Sequence, residues 1–212
     1  MSVKVRIAAL TTGVVLVVAA AACGGSSTRR SSVTTPTRPP GSSTTRKPGG
    51  VDPNAPEVVA PGDIPDTQAF VTFTGNGFAF KVPEGWSQSV SGATTTFTDH
   101  YNTVSATTTS SPTAPTVAST RTDEVRALQR QVPSFQLVDV DTVNRTAGPA
   151  VHVTYRAGSP ADPVTGKRVA IDVEQYEFWR NGTQVTLTLS GARGSDNVDP
   201  WKTITESFAW TP

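Results

Sequence analysis

The chain has 212 residues, with 18 lysines and arginines, 17 aspartates and glutamates, two histidines and one cysteine. This composition excludes a metal site built from clusters of cysteine and histidine. Seven of the basic residues and none of the acidic ones precede residue 52, which leaves 11 basic against 17 acidic residues beyond that point. A domain with this excess of acidic residues is not expected to bind nucleic acid, because the phosphate backbone is negatively charged.

The first 22 residues have the three parts of a bacterial export signal. Lys4 and Arg6 supply the positive start, and an apolar run follows over residues 7–22. The run is shorter than the roughly 20 residues that a membrane-spanning helix needs, so a permanent transmembrane helix is the weaker interpretation. We therefore predict a lipoprotein signal peptide over residues 1–22.

Cys23 follows three alanines and precedes two glycines, a pattern typical of a lipobox. In a lipobox the thiol receives a diacylglycerol and becomes the first residue of the mature chain. Ala20 departs from the leucine usual at that position, and ordinary signal cleavage that leaves a free thiol is the alternative. A lone thiol in an exported protein would be an oddity, which favours lipidation. Two acyl chains suffice for stable anchoring, so we expect the protein on the outer face of the cell membrane.

Residues 23–65 form a predicted disordered linker. The segment consists mainly of serine, threonine, proline, glycine and arginine, and too little apolar surface is present to offset the entropy lost on folding. Its prolines favour extended conformations, and as a coil it would span about 35 Å. Its basic residues either contact anionic lipid or cell-wall polymer, or merely keep the linker soluble.

Residues 66–212 have the length of one domain, and two Asn-Gly dipeptides predict its hairpins. Asn181-Gly182 places Phe178 opposite Val185, with Tyr176 opposite Leu187 on the same face. Continuing this register would place Glu174 opposite Leu189, a charge among apolar side chains. We therefore predict a β-bulge around Glu174-Gln175 that restores an apolar face.

The earlier hairpin is smaller. Asn76-Gly77 pairs Phe73 with Phe80, and Val71 with Val82 on the same face. Pro83 ends the second strand because it lacks the N–H that a β-ladder requires.

Strands are expected over residues 94–98 and 104–109, joined by a turn at residues 99–102, and a helix follows. Thr122 can cap this helix, Asp123 and Glu124 suit its first turn, and Pro133 ends it. One face of the helix carries the apolar side chains Val125, Leu128 and Val132.

Two more strands are predicted over residues 135–143 and 150–155. In the second, apolar residues alternate with polar ones, and His152 falls on the polar side.

Asp199-Pro200 marks the start of a last helix, since an acidic cap followed by proline is a strong start signal. Trp201, Ile204 and Phe208 give that helix an apolar stripe.

These elements predict an α+β domain, an antiparallel β-sheet packed by two helices. The stretch FKVPEGW at residues 80–86 resembles the F-x-x-P-x-x-W opening of PsbP/Mog1-like domains. With the lipobox and the linker, the whole chain is similar to actinobacterial LpqN-type lipoproteins. The resemblance implies an α-β-α sandwich. It implies no activity, since members serve as extrinsic protein subunits, as binding partners or in unknown roles, and it supplies no catalytic residue. We expect no cofactor.

Few residues are candidates for chemistry. His100 lies in a predicted turn and His152 on a strand, and a solvated histidine is the more common interpretation of each. Asp139 and Asp141 share a strand face and would attract calcium, although such pairs are usually solvated. No motif for a nucleophile, a catalytic metal or a phosphate loop occurs.

Four tryptophans are the remaining signal. Trp86 and Trp201 suit a core, whereas Trp179 near the hairpin tip and Trp210 near the C-terminus are candidates for an exposed partner surface. 

Three functions follow from these patterns. The first is a lipid-anchored, non-catalytic domain that binds another envelope protein. The second is a small-molecule or lipid-binding module, which requires a deep apolar pocket between sheet and helix. The third is a hydrolase, which requires Ser, Asp or Glu side chains to converge on His100 or His152.

Overall fold

The computed structural model describes residues 62–161 and 166–212. Cys23, the predicted signal peptide and nearly all of the predicted linker lie outside these described residues. The strands are β1 (Phe70–Thr74), β2 (Phe78–Pro83), β3 (Ser87–Ser91), β4 (Thr94–Asp99), β5 (Asn102–Ser110), β6 (Gln136–Arg145), β7 (Gly148–Gly158), β8 (Ala170–Arg180), β9 (Thr183–Ala192) and β10 (Ala209–Trp210). The helices are α1 (Val117–Thr122), α2 (Glu124–Gln131) and α3 (Val198–Glu206).

Two antiparallel sheets make up the β-structure of the described residues. A large sheet has the strand order β3-β4-β5-β9-β8-β7-β6, and a small one has the order β1-β2-β10. The small sheet and α3 pack on one side of the large sheet, its front face, which carries Phe178 and Leu187. Helix α2 packs on the opposite side, its back face, which carries Val153 and Val173. The predicted α+β class is confirmed, and the described residues contain three helices rather than the two expected.

Aromatic side chains form the front core. Phe178 of β8 stacks on Phe208 with their ring centroids 4.0 Å apart, and Phe208 also stacks on Phe78 of β2. Phe73 of β1 contacts Phe97 of β4 edge to face at 5.1 Å. Aromatic pairs in these geometries add to the stabilisation that burial provides, and here they join the small sheet to the large one.

Both hairpin predictions are confirmed in their register. Phe178 pairs with Val185, and Phe73 pairs with Phe80. Asn181 has a φ of 50° and Gly182 a φ of 82°, the left-handed conformation that a two-residue turn requires at both central positions.

The predicted bulge at Glu174-Gln175 is wrong. The β8–β9 ladder runs without a break from Ile171 opposite Ala192 to Arg180 opposite Thr183, and Glu174 lies directly opposite Leu189. The bulge was predicted in order to remove a charge from apolar neighbours. Instead, Glu174 stays on the front face because polar side chains from other elements surround it there. The large sheet has its irregularity on β6, between Leu137 and Asp139.

The helix starts differ from the predictions because other residues act as caps. Thr116 caps α1 through a reciprocal pair of hydrogen bonds with Ser119, so Thr122 ends this helix instead of capping the next. Helix α2 ends at Gln131, just before Pro133 as predicted, and Val125 on its apolar face is buried.

Helix α3 begins two residues earlier than predicted, with Asn197 at the N-cap position. The side chain of Asn197 does not cap the helix. It accepts a hydrogen bond from the N–H of Ile64 and donates to Gly62 O and to Asn102 Oδ1. These buried amides hold the start of the described chain against the starts of α3 and β5.

Gly191 of β9 lies directly beneath this amide cluster. A Cβ at this position would stand 2.7 Å from Nδ2 of Asn197 and 2.8 Å from Oδ1 of Asn102. We therefore expect Gly191→Ala to lower the free energy of unfolding by about 1–3 kcal/mol through overpacking. Denaturant unfolding of the full chain measures the change.

Gly158→Ala is the matched control, since Gly158 also lies in a strand and its added Cβ would meet nothing closer than 3.6 Å. Equal unfolding midpoints for the Gly191→Ala variant and the native chain would contradict the tight packing of the amide cluster.

Candidate functional site: a polar cleft between β8 and α3

A cleft of about 350 Å³ opens on the front face between β8 and α3. Because side chains alternate along a strand, Asp172, Glu174 and Tyr176 of β8 all point to this side. The other lining residues include Arg145 of β6, His152 of β7 and Trp201 of α3. Four elements that are distant in sequence therefore meet at one half-open site.

His152 forms the floor of the cleft beside two carboxylates. Its Nδ1 lies 3.1 Å from Oδ1 of Asp141, and its Nε2 lies 3.6 Å from Oε2 of Glu174. The second distance is too long for a hydrogen bond, so that contact is electrostatic. The imidazole ring also stacks on Tyr176 at 4.4 Å. The expectation of a solvated His152 is wrong, since 15% of its side chain is exposed.

Tyr176 links Glu174 to Arg145. Its hydroxyl donates to Oε2 of Glu174 at 2.6 Å and accepts from Nη2 of Arg145 at 3.0 Å. The guanidinium lies 4.9 Å from the centre of the Tyr176 ring and also donates to Thr205 of α3. The network thus connects three strands of the large sheet to the last turn of α3.

The electrostatics of the network follow from these contacts. Burial alone would raise the pKa of Glu174. The contacts with His152 and Tyr176, and the charges of His152 and Arg145, outweigh burial and lower the pKa. Burial, together with the hydrogen bond to Glu174, raises the pKa of Tyr176. Glu174 is therefore a carboxylate and Tyr176 a neutral donor at neutral pH.

Two polar atoms of this cleft lack partners. Within the described residues, Nε2 of His152 and Oγ of Ser195 are the buried side-chain atoms that make no hydrogen bond. Both residues line the cleft. Buried polar atoms are normally paired, so these two are free to hydrogen-bond a water molecule or a ligand.

The two atoms do not form a nucleophile and base pair. His152 is paired with Tyr176, whereas Ser195 follows Ala192, which is paired with Ile171. Five residues of β8 separate these levels, which corresponds to about 16 Å along the strand. Carboxylates converge on His152, as the hydrolase hypothesis requires, but Oγ of Ser195 makes no hydrogen bond to that histidine.

The other candidates for chemistry lie elsewhere. His100 contacts Asp99 in an exposed turn. Asp139 accepts from the guanidinium of Arg121, while Asp141 contacts His152. Among residues 62–161 and 166–212, no group of three or more acidic, histidine or cysteine side chains is placed to hold a metal ion.

The tryptophans divide between the two faces. Trp86 and Trp201 are half-buried against the front core, as predicted. Trp210 packs on Phe208 on the same side. Trp179 lies on the back face, where its indole N–H donates to Ser111 O. The structure therefore does not bring Trp179 and Trp210 together into one surface.

A second carboxylate, Glu177, is buried on the back face, three residues along β8 from Glu174. Only 3% of Glu177 is exposed, and Thr120 of α1 donates to it at 2.6 Å. Burial raises the pKa of this carboxyl, and the nearby charge of Glu124 acts in the same direction. The sequence analysis does not identify either glutamate as a site residue. The available signal for Glu174 is its position opposite Leu189, which places a charge on an otherwise apolar strand face.

A scan of protein families finds no match to the chain, and neither does a search of curated proteins. Solved structures of similar fold include PsbP of Synechocystis sp. PCC 6803, with 16% identity, coverage of 68% of this chain and 94% of that one, and a TM-score of 0.47. The Ran-binding protein Mog1p of Saccharomyces cerevisiae is 11% identical, with coverage of 68% of this chain and 95% of that one and a TM-score of 0.44. LpqN of Mycobacterium tuberculosis, described as involved in cell envelope biogenesis, is 16% identical, with coverage of 68% of this chain and 91% of that one and a TM-score of 0.38. The similar structures thus include the kinds of protein named by the sequence resemblance.

The burial of Glu177 gives a pH-dependent stability. A carboxyl whose pKa is raised by folding contributes stability below its unfolded pKa, and that contribution is lost as the pH rises through the folded pKa. We expect Glu177→Gln to unfold at higher denaturant than the native chain at pH 7. The gain is about 1.4 kcal/mol for each unit by which the pKa is raised, and it disappears toward pH 4.

Glu84→Gln is the control, because Glu84 is exposed and its neutralisation should leave the pH profile unchanged. A Glu177→Gln variant that is less stable than the native chain at pH 7 would contradict this account of Glu177.

Proposed function

We propose that the protein is a lipoprotein of the cell envelope, held on the outer face of the cell membrane by a diacylglycerol on Cys23. Its domain binds another envelope protein and catalyses no reaction. The placement of Cys23 after an apolar run and three alanines supports the anchor. In the described part of the chain, no helix is long and apolar enough to cross a membrane.

The cleft between β8 and α3 is the observation that supports binding. Its walls are ordered by hydrogen bonds among Arg145, Tyr176 and Glu174, so the site is formed before any partner arrives. Two buried polar atoms remain unpaired there. A preformed site loses little conformational entropy on binding, which favours recognition.

The absence of catalysis is supported by how the polar groups are used. Tyr176 and Arg145 direct their donors to other side chains of the network. His152 lies between two carboxylates, and neither its Nε2 nor the hydroxyl of Ser195 makes a hydrogen bond within the described residues. A nucleophile needs a base within hydrogen-bonding reach, and this pair does not meet that requirement.

A polar small molecule is the second candidate ligand. The cleft volume of about 350 Å³ lies at the lower end of the range for small-molecule sites. The charged lining does not suit a lipid tail, because a bound apolar chain would displace water from charged side chains such as Asp172 and Glu174.

The proposed function is tested on the membrane-extracted full chain, by intact mass and by capture of partners after mild crosslinking. We expect the native protein to carry the mass of an acylated Cys23 and to capture the same envelope protein in repeated extractions. Cys23→Ala is expected to lose the acyl mass and to appear in the medium. An unmodified Cys23 in the native membrane protein would overturn the anchor.

Two tryptophan variants test the binding half of the proposal. Trp201 and Trp86 are both half-buried against the front core, but Trp201 alone of the two lines the cleft. We expect Trp201→Ala to lose the captured protein and Trp86→Ala to retain it. Equal capture by the two variants would remove the cleft from the binding function.

A further inference from the structure

Carboxylates outnumber arginine and lysine side chains in the lining of the cleft. Nδ1 of His152 contacts the carboxylate of Asp141, and Nε2 is buried without a hydrogen-bond partner in the cleft. The carboxylates of Asp172 and Glu174 line the same cleft, as does the unpaired hydroxyl of Ser195.

The register of the sheet orders these polar groups along the cleft. Ser195 lies between β9 and α3, and His152 lies level with Tyr176. Asp172 and Glu174 are separated by about 7 Å because they are two residues apart on one strand. The cleft therefore presents two neighbouring carboxylates between these groups.

Two cations, Arg145 and Lys202, also line the cleft. All three nitrogens of the Arg145 guanidinium donate within the protein, to Thr205, Asn144 and Tyr176. Lys202 is an exposed side chain on α3. Arg156 lies 3.6 Å from Asp172, but both side chains are about half exposed, and such pairs contribute little.

We propose that the cleft binds an arginine side chain of the protein partner, with its guanidinium between Asp172 and Glu174. A guanidinium has five donors and no acceptor, which matches the two carboxylates of Asp172 and Glu174. Its planar face also stacks on aromatic rings, and Trp201 supplies an indole at the cleft wall. This inference rests on the proposed protein-binding function and names the group that the partner must present.

The test uses the full chain in detergent and a blocked triarginine peptide as the probe, followed by isothermal titration. A blocked tricitrulline peptide has nearly the same shape without the charge. We expect triarginine to bind and tricitrulline to give no measurable heat. Asp172→Asn and Glu174→Gln are each expected to weaken binding of triarginine about tenfold, as when one partner of a charged hydrogen bond is lost.

Matched variants separate the cleft from the general charge of the domain. Asp66→Asn and Glu84→Gln make the same changes at exposed positions outside the cleft and should leave the affinity unchanged. Asp172 makes no hydrogen bond within the network of Tyr176, so Asp172→Asn stays informative even if Glu174→Gln disturbs folding.

Equal binding of the two peptides, no binding of triarginine, or equal losses in the cleft and control variants would each overturn the inference. A partner captured equally well by the native chain and by Asp172→Asn would also overturn it, while leaving the proposed binding function in place. If the native chain captures no protein at all, that result would instead count against the proposed function.

Discussion

The unbroken pairing of β8 with β9 is the constraint on which the rest of the domain depends. The left-handed turn at Asn181-Gly182 fixes the register, and each residue of β8 is thereby assigned to one face of the sheet. Phe178 and Tyr176 reach the front core, whereas Val173 reaches the back core. A shift of one residue would exchange these sets and destroy both cores.

The same register determines the environments of the two acidic side chains on β8. Glu174 faces the cleft, where Tyr176 donates to it and its pKa is lowered. Glu177 faces the back, where it is buried beneath α1 and its pKa is raised. Burial opposes ionisation of both, and the partners on each face decide the net direction. Glu174 is thus available to a ligand as an anion, while Glu177 ties α1 to the sheet.

The hairpins and most strand positions could be predicted because they depend on neighbouring residues, namely alternation and the Asn-Gly turns. The cleft could not, since Arg145, His152, Glu174 and Trp201 are far apart in sequence and meet only through the strand order of the large sheet. From the sequence, the pairing of Glu174 with Leu189 suggests a change of register through a bulge, which the structure does not contain. A charge that persists on an apolar strand face was instead the signal of a polar site. The start of α3 was misplaced for a related reason, because distant partners occupy the side chain of Asn197.

The central claim is that the cleft is the surface through which the anchored domain holds its partner. Photo-crosslinking in intact cells tests it most directly, with a crosslinking amino acid at the position of Lys202 on the cleft rim or of Val90. Val90 is 67% exposed and lies on β3, at an edge of the large sheet away from the cleft. The account predicts one crosslinked protein from position 202 and none from position 90. The same crosslinked product from both positions, or a product from position 90 alone, would contradict it.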